Sequence, residues 1–170
     1  MSDHSPTEAD LVLLSERITN SPAFGTLFRE GMDLVEETAA YLDGAGRVEA
    51  KALERAASLT YATESMRLTT RLMQLASWLL LHRAVKEGEM TLTQANREKT
   101  KVKLTAADPG SQDLIEKLPQ QLQSLIARSM ALQAKVRRLD ATIHAPSVNP
   151  VTIGNPLVPQ MNLLKAAFER

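Results

Sequence analysis

From Arg47 to about Lys86 the chain contains no proline and no glycine, and Gly88 follows directly after. Proline would remove a helix hydrogen bond and glycine would loosen the backbone, so a stretch lacking both has nothing to interrupt an α-helix. The simplest reading is one long helix that stops at Gly88, with a break near Tyr61 left open. Such a helix covers its apolar side chains only against other helices, which points to an all-α bundle.

Its neighbours are marked by start and stop signals. Ser21 followed by Pro22 begins a helix, because serine caps and proline suits the first helical position. Phe24, Phe28, Val35 and Leu42 then recur at helical spacing beside Leu27 and Leu34, and Asp43 and Gly44 close the element. The short turn from Gly44 to Gly46 returns the next helix antiparallel to the first. After Gly88, Thr91 or Thr93 caps a short helical turn through Asn96 and Glu98, and Asp108, Pro109 and Gly110 mark a loop. The third long helix shows the clearest period: Leu118, Leu122, Leu125, Ser129, Leu132, Val136, Leu139 and Ile143 alternate spacings of four and three, as a bundle seam does. Pro119 either starts this helix or kinks the turn before it.

These signals predict a three-helix bundle with long antiparallel helices over 21–144. An N-terminal arm over 1–20 precedes it, where Ser5, Pro6 and Glu8 signal a short helix to about Arg17. From 145 to 170 Pro146, Pro150, Pro156 and Pro159 interrupt any period, so a flexible tail is expected. Its end carries Met161, Leu164, Ala167 and Phe168 at helical spacing, a set suited to a short amphipathic helix formed on a protein partner.

At 170 residues and 44% apolar composition the chain suits one domain with a real core. Lys+Arg and Asp+Glu number 20 each, which removes the global attraction to phosphate that most nucleic-acid binders show, so no nucleic acid is expected as a partner. The charge is unevenly placed: between Asp3 and Asp43 only Arg17 and Arg29 oppose the acidic residues, whereas 97–103 is basic. Without cysteine there is neither a disulfide nor a thiolate site, which fits a reducing cytoplasm. No signal peptide is visible. The most apolar run, Leu72 to Leu81, falls far short of the roughly 20 residues of a membrane span, so no membrane insertion is expected.

The chemistry-bearing residues are scattered. His4, His82 and His144 lie in different elements; Glu8 and Asp140 stand four residues from His4 and His144, but such a pair falls short of the three or four ligands of a metal site. No nucleophile elbow or phosphate loop occurs, and Glu36 and Glu37 diverge on a helix. Neither catalytic residues nor a metal or other cofactor are expected, and the chain reads as a non-enzyme that binds proteins. Glu64, Arg67 and Arg71 form a charged ladder that either faces a neighbouring helix or meets a partner. Within 72–81 apolar side chains point all around the helix, more than two bundle neighbours cover. Met73, Trp78 and Leu81 are therefore candidate contacts for a second subunit, unless the N-terminal arm or the loop after Gly88 covers them. In the run of Arg97, Lys99, Lys101 and Lys103 no aromatic is interleaved. A solvated charged loop is the commonest explanation of such a run; protein docking comes second, and a DNA-binding helix-turn-helix, which needs more chain than this region offers, third.

Three strings carry a family resemblance: AYLDGAGR at 40–47, YATESMRLTTRLMQLASWLLLHRAV at 61–85, and GEMTLTQANREKTKVKL at 88–104. Together they resemble the RcdA family, the regulators of CtrA degradation, over roughly Phe24 to Leu104. The resemblance implies a homodimeric three-helix bundle in the cytoplasm, recruited to a cell pole. Such a protein links CtrA and other cell-cycle cargo to the ClpXP protease primed by CpdR, and can join the receptor PopA. It implies no active site. A DNA-binding regulator and a purely structural helical dimer are the alternatives.

Overall fold

The computed structural model describes residues 16–101 and 110–144. Its elements are all helices: α1 (Pro22–Asp43), α2 (Ala45–Lys51), α3 (Arg55–Lys86), α4 (Leu92–Lys101), α5 (Gln112–Ile115) and α6 (Gln120–His144), preceded by helical residues 16–19. The expected short helix from Ser5 otherwise lies outside the described residues, as does the tail from 145 onward.

The local signals act as anticipated. Ser21 Oγ accepts from the Phe24 N–H at 3.3 Å. At the start of α4 the Gln94 N–H donates to Thr91 Oγ1 at 3.2 Å, while the Thr91 N–H donates to Gln94 Oε1 at 3.0 Å, a reciprocal cap. Gly88 ends the long helix region with φ +74°, a conformation that costs glycine nothing. Of the two readings of Pro119, the helix start holds: α6 begins directly after it, and its carbonyl accepts from the Gln123 N–H.

Helices α1, α3 and α6 pack on one another and enclose the core. Every position of the predicted seam faces inward, with Leu122, Leu125, Ser129, Leu132 and Val136 fully buried and Leu139 half-buried. Helix α1 runs antiparallel to both neighbours. Its early residue Phe24 meets Trp78 and its late residue Tyr41 lies near Tyr61 on α3, while Glu30 and Glu37 reach Lys135 and Arg128 on α6. Helices α3 and α6 instead run parallel, because Arg71 meets Ser129 and Trp78 meets Asp140. The chain must therefore travel back along the bundle between them. Helix α4 lies at the Asp140 end, and Gly110 is already at the other end, on Glu64.

The stretch from Arg47 is not one helix. Helix α2 stops at Lys51, and Glu54 is extended (φ −60°, ψ 157°) before α3 starts. Ala52, Leu53 and Glu54 are acceptable helix formers, so the break is imposed by packing. Tyr41 Oη donates to Glu49 Oε2 at 2.6 Å and ties α2 down against α1. Burial first, and then the Glu49 carboxylate, push the Tyr41 phenol well above its ordinary pKa, which keeps it a donor. Gly46 sits inside this corner. A Cβ there would lie 2.5 Å from Tyr61 Oη and 2.7 Å from the Tyr41 carbonyl oxygen, which is backbone and cannot swing away. Gly46→Ala is expected to destabilise the fold by about 1–3 kcal/mol, as overpacking does. An unchanged urea midpoint would show that the corner opens without cost.

Candidate docking surfaces

Helix α3 resolves into two stripes. Leu68, Leu72, Leu75, Trp78, Leu79 and His82 are buried within the chain. Part of their cover is α4, which places Leu92 and Ala95 in buried positions against α3. Part comes from Ile18, which packs on the core ahead of α1.

Trp78 is only 1% exposed, so the expectation that it offers surface to a second subunit is corrected: its own chain covers it. Its ring lies 6.4 Å from Phe24 and 4.1 Å from His82 by centroids, and its Nε1 donates to Asp140 Oδ1 at 2.9 Å. Leu81 is half-buried, whereas Met73 remains open.

The unburied apolar surface lies elsewhere on the helix. Leu59, Met66, Met73 and Leu80 are 71%, 72%, 66% and 52% exposed, and each stands seven residues after the last. Ala62, Thr69 and Ala76 fall between them and complete an alternation of three and four. That is the spacing of a helix–helix seam, here with no helix among the described residues against it. Beside it a shallow groove of about 160 Å³ runs between α1 and α3, lined by Val35, Ala39 and Leu42 on one bank and by Met73 and Ala76 on the other. The sequence reading found Met73 but missed Leu59, Met66 and Leu80. Their seven-residue period was visible, though overlaid on the core pattern of the same helix.

The basic run is divided. Lys99 Nζ pairs with the Asp140 carboxylate that also accepts from Trp78, so it pins α4 to α3 and α6. Arg97 is exposed on α4. Lys101 ends that helix, Lys103 lies outside the described residues, and so do Met161, Leu164 and Phe168.

The charged ladder faces inward. Glu64 is buried and its Oε1 accepts from Arg67 Nη1 at 2.7 Å and from the Gly110 N–H at 3.0 Å, holding the segment that leads to α6. Arg71 is buried in the bundle and donates to Ser129 Oγ at 3.0 Å. Among the described residues no group of three or more His, Asp or Glu converges, and no helix is long and apolar enough to cross a membrane.

Fold and surface together define a small helical bundle with one apolar helix face that no other described helix covers. The chain belongs to the RcdA family: the family model described as a protein of unknown function (DUF1465) matches residues 15–168. Among solved structures it is similar to RcdA from Caulobacter crescentus, with 51% identity, a TM-score of 0.62, and coverage of 75% of this chain and 96% of that one. Curated proteins yielded no match.

Proposed function

We propose that this chain is a non-enzymatic adaptor that works as a homodimer and delivers CtrA and other cell-cycle regulators to ClpXP, in concert with CpdR and PopA. The cytoplasm, with recruitment to a cell pole, is the location that goes with this role. The observation that carries the reading is the open apolar stripe of α3. A contiguous apolar surface of this kind is characteristic of a protein that binds proteins, and an adaptor acts by holding two chains at high effective concentration. The kinship with RcdA supports the choice of protease and cargo.

A second copy fits the stripe. Antiparallel pairing of two α3 helices about a point between Thr69 and Thr70 would set Leu59 beside Leu80 of the other copy and Met66 beside Met73. Light scattering after gel filtration should report a two-chain mass, and Met66→Glu combined with Met73→Glu should return it to one. A wild-type mass of one chain at micromolar concentrations would remove the dimer.

The functional test is degradation of purified CtrA by ClpXP and CpdR, with and without this chain. Faster loss of CtrA in its presence is expected. No acceleration of any candidate cargo, together with duplex-DNA binding that falls steeply with salt, would favour the DNA-binding regulator instead.

A further inference from the structure

A second feature of the surface lies apart from the stripe, where α1 begins and α3 ends. There a cleft of about 460 Å³ opens between the two helices. Its floor is apolar, formed by Phe24, Phe28 and Met32. The Arg83 guanidinium lies 4.7 Å over the Phe28 ring, and its Nε donates to Glu87 Oε1 at 3.0 Å. That contact holds the wall of the cleft in place.

The rim is cationic in a chain of zero net charge. Arg29, Arg83 and Lys86 face Asp33 and Glu87, and the Glu87 carboxylate is already engaged by Arg83. Arg29 and Lys86 make no ion pair among the described residues. Among the described residues an arriving carboxylate therefore finds two unpaired cations, against the one unpaired carboxylate of Asp33, beside an aromatic floor.

Gly25 supplies an independent observation. Glycine within a helix is less favourable than alanine by roughly 0.5–1 kcal/mol, so a packing reason is expected for it. Gly31 on the same helix has one, since a Cβ there would come within 2.5 Å of Leu79 Cδ1. At Gly25 a Cβ would meet nothing within 4 Å, and φ is not positive. Nothing within the described bundle requires glycine at this position. Gly25 lines the cleft, and the missing side chain lets another chain approach the α1 backbone there.

We propose that the cleft between the start of α1 and the end of α3 is a docking site for a short acidic and apolar peptide segment of a protein partner. An aliphatic or aromatic side chain of the segment enters over Phe28 against Gly25, and a flanking carboxylate pairs with Arg29 and Lys86. The site is separate from the stripe of α3 and does not depend on the protease reading, because its readout is binding alone.

The probe is a fluorescein-labelled, end-capped peptide of alternating aspartate and leucine with one phenylalanine. Its control is the same peptide with lysine for aspartate. Fluorescence anisotropy with the full chain should saturate for the acidic peptide and be at least about tenfold weaker for the basic one, the scale expected of a charge reversal at a steering rim. Gly25→Leu fills the cleft and should reduce binding about tenfold or more while leaving the melting temperature unchanged or raised, since leucine favours helix over glycine. Arg29→Glu with Lys86→Glu should weaken binding through charge alone. Amide shift changes on adding the peptide should centre on Gly25, Phe28 and Arg83. Absence of binding, equal binding of both peptides, unchanged binding to Gly25→Leu, or shift changes confined to 59–80 would each overturn the proposal. A melting temperature lowered by the mild change Gly25→Ala would also overturn it, by giving the glycine a structural reason.

Discussion

Trp78→Ala is expected to lower the unfolding free energy by about 3–5 kcal/mol, the range for truncating a large buried aromatic. The indole joins three elements: it packs on Phe24 of α1, lies tilted against His82 one turn along its own helix, and donates to Asp140 of α6. Asp140 in turn holds Lys99 of α4. Removing the ring opens a cavity and takes one of the donors from a carboxylate that is largely sheltered. Trp78→Phe separates the two effects, because it keeps an aromatic surface against Phe24 and loses only the Nε1 donor. A smaller loss is expected for it, about 1–3 kcal/mol for the hydrogen bond and residual misfit. The chain has one tryptophan, so unfolding should be followed by circular dichroism in urea. A loss below about 1 kcal/mol for the alanine variant would mean that the ring is at the surface and that the α4 cover is wrong.

Leu132→Ala should cost about 2–5 kcal/mol. Leu132 is fully buried at the point where the three long helices meet, close to Gly31 of α1 and so to the Leu79 contact from α3. Its neighbour Ala131 is exposed on the same helix, and Ala131→Ser should change stability by no more than about 0.5 kcal/mol. The contrast between adjacent residues tests the register of α6. Comparable effects at both positions would show the helix rotated from the arrangement described here.

Signals local to the chain proved readable. Ser21 caps α1, Thr91 caps α4, Gly88 ends the long helix region, and Pro119 precedes α6, because each acts through its own backbone and the next turn. The α6 seam was readable for a related reason: one stripe, with a polar remainder, has only one way to face a core. The break at 52–54 was not readable, since no residue there disfavours a helix. What forces it is the corner of Tyr41, Glu49, Gly46 and Tyr61, whose members are brought together only once α1 and α3 have packed.

Helix α3 shows where the division falls. Its sequence determined that it would be a helix, that its middle would carry more apolar surface than two neighbours can cover, and that Met73 was among the surplus. It did not determine which stripe lies inside. Leu68, Leu72, Leu75 and Leu79 form one helical series, and Leu59, Met66, Met73 and Leu80 form another on the same backbone, with comparable apolar character. Only the tertiary structure decided between them. The parallel course of α3 and α6 sends the chain back along the bundle, and this brings α4 over the Trp78 side. Burial is a property of what arrives from elsewhere in the chain, so Trp78 went inside and the seven-residue stripe stayed exposed.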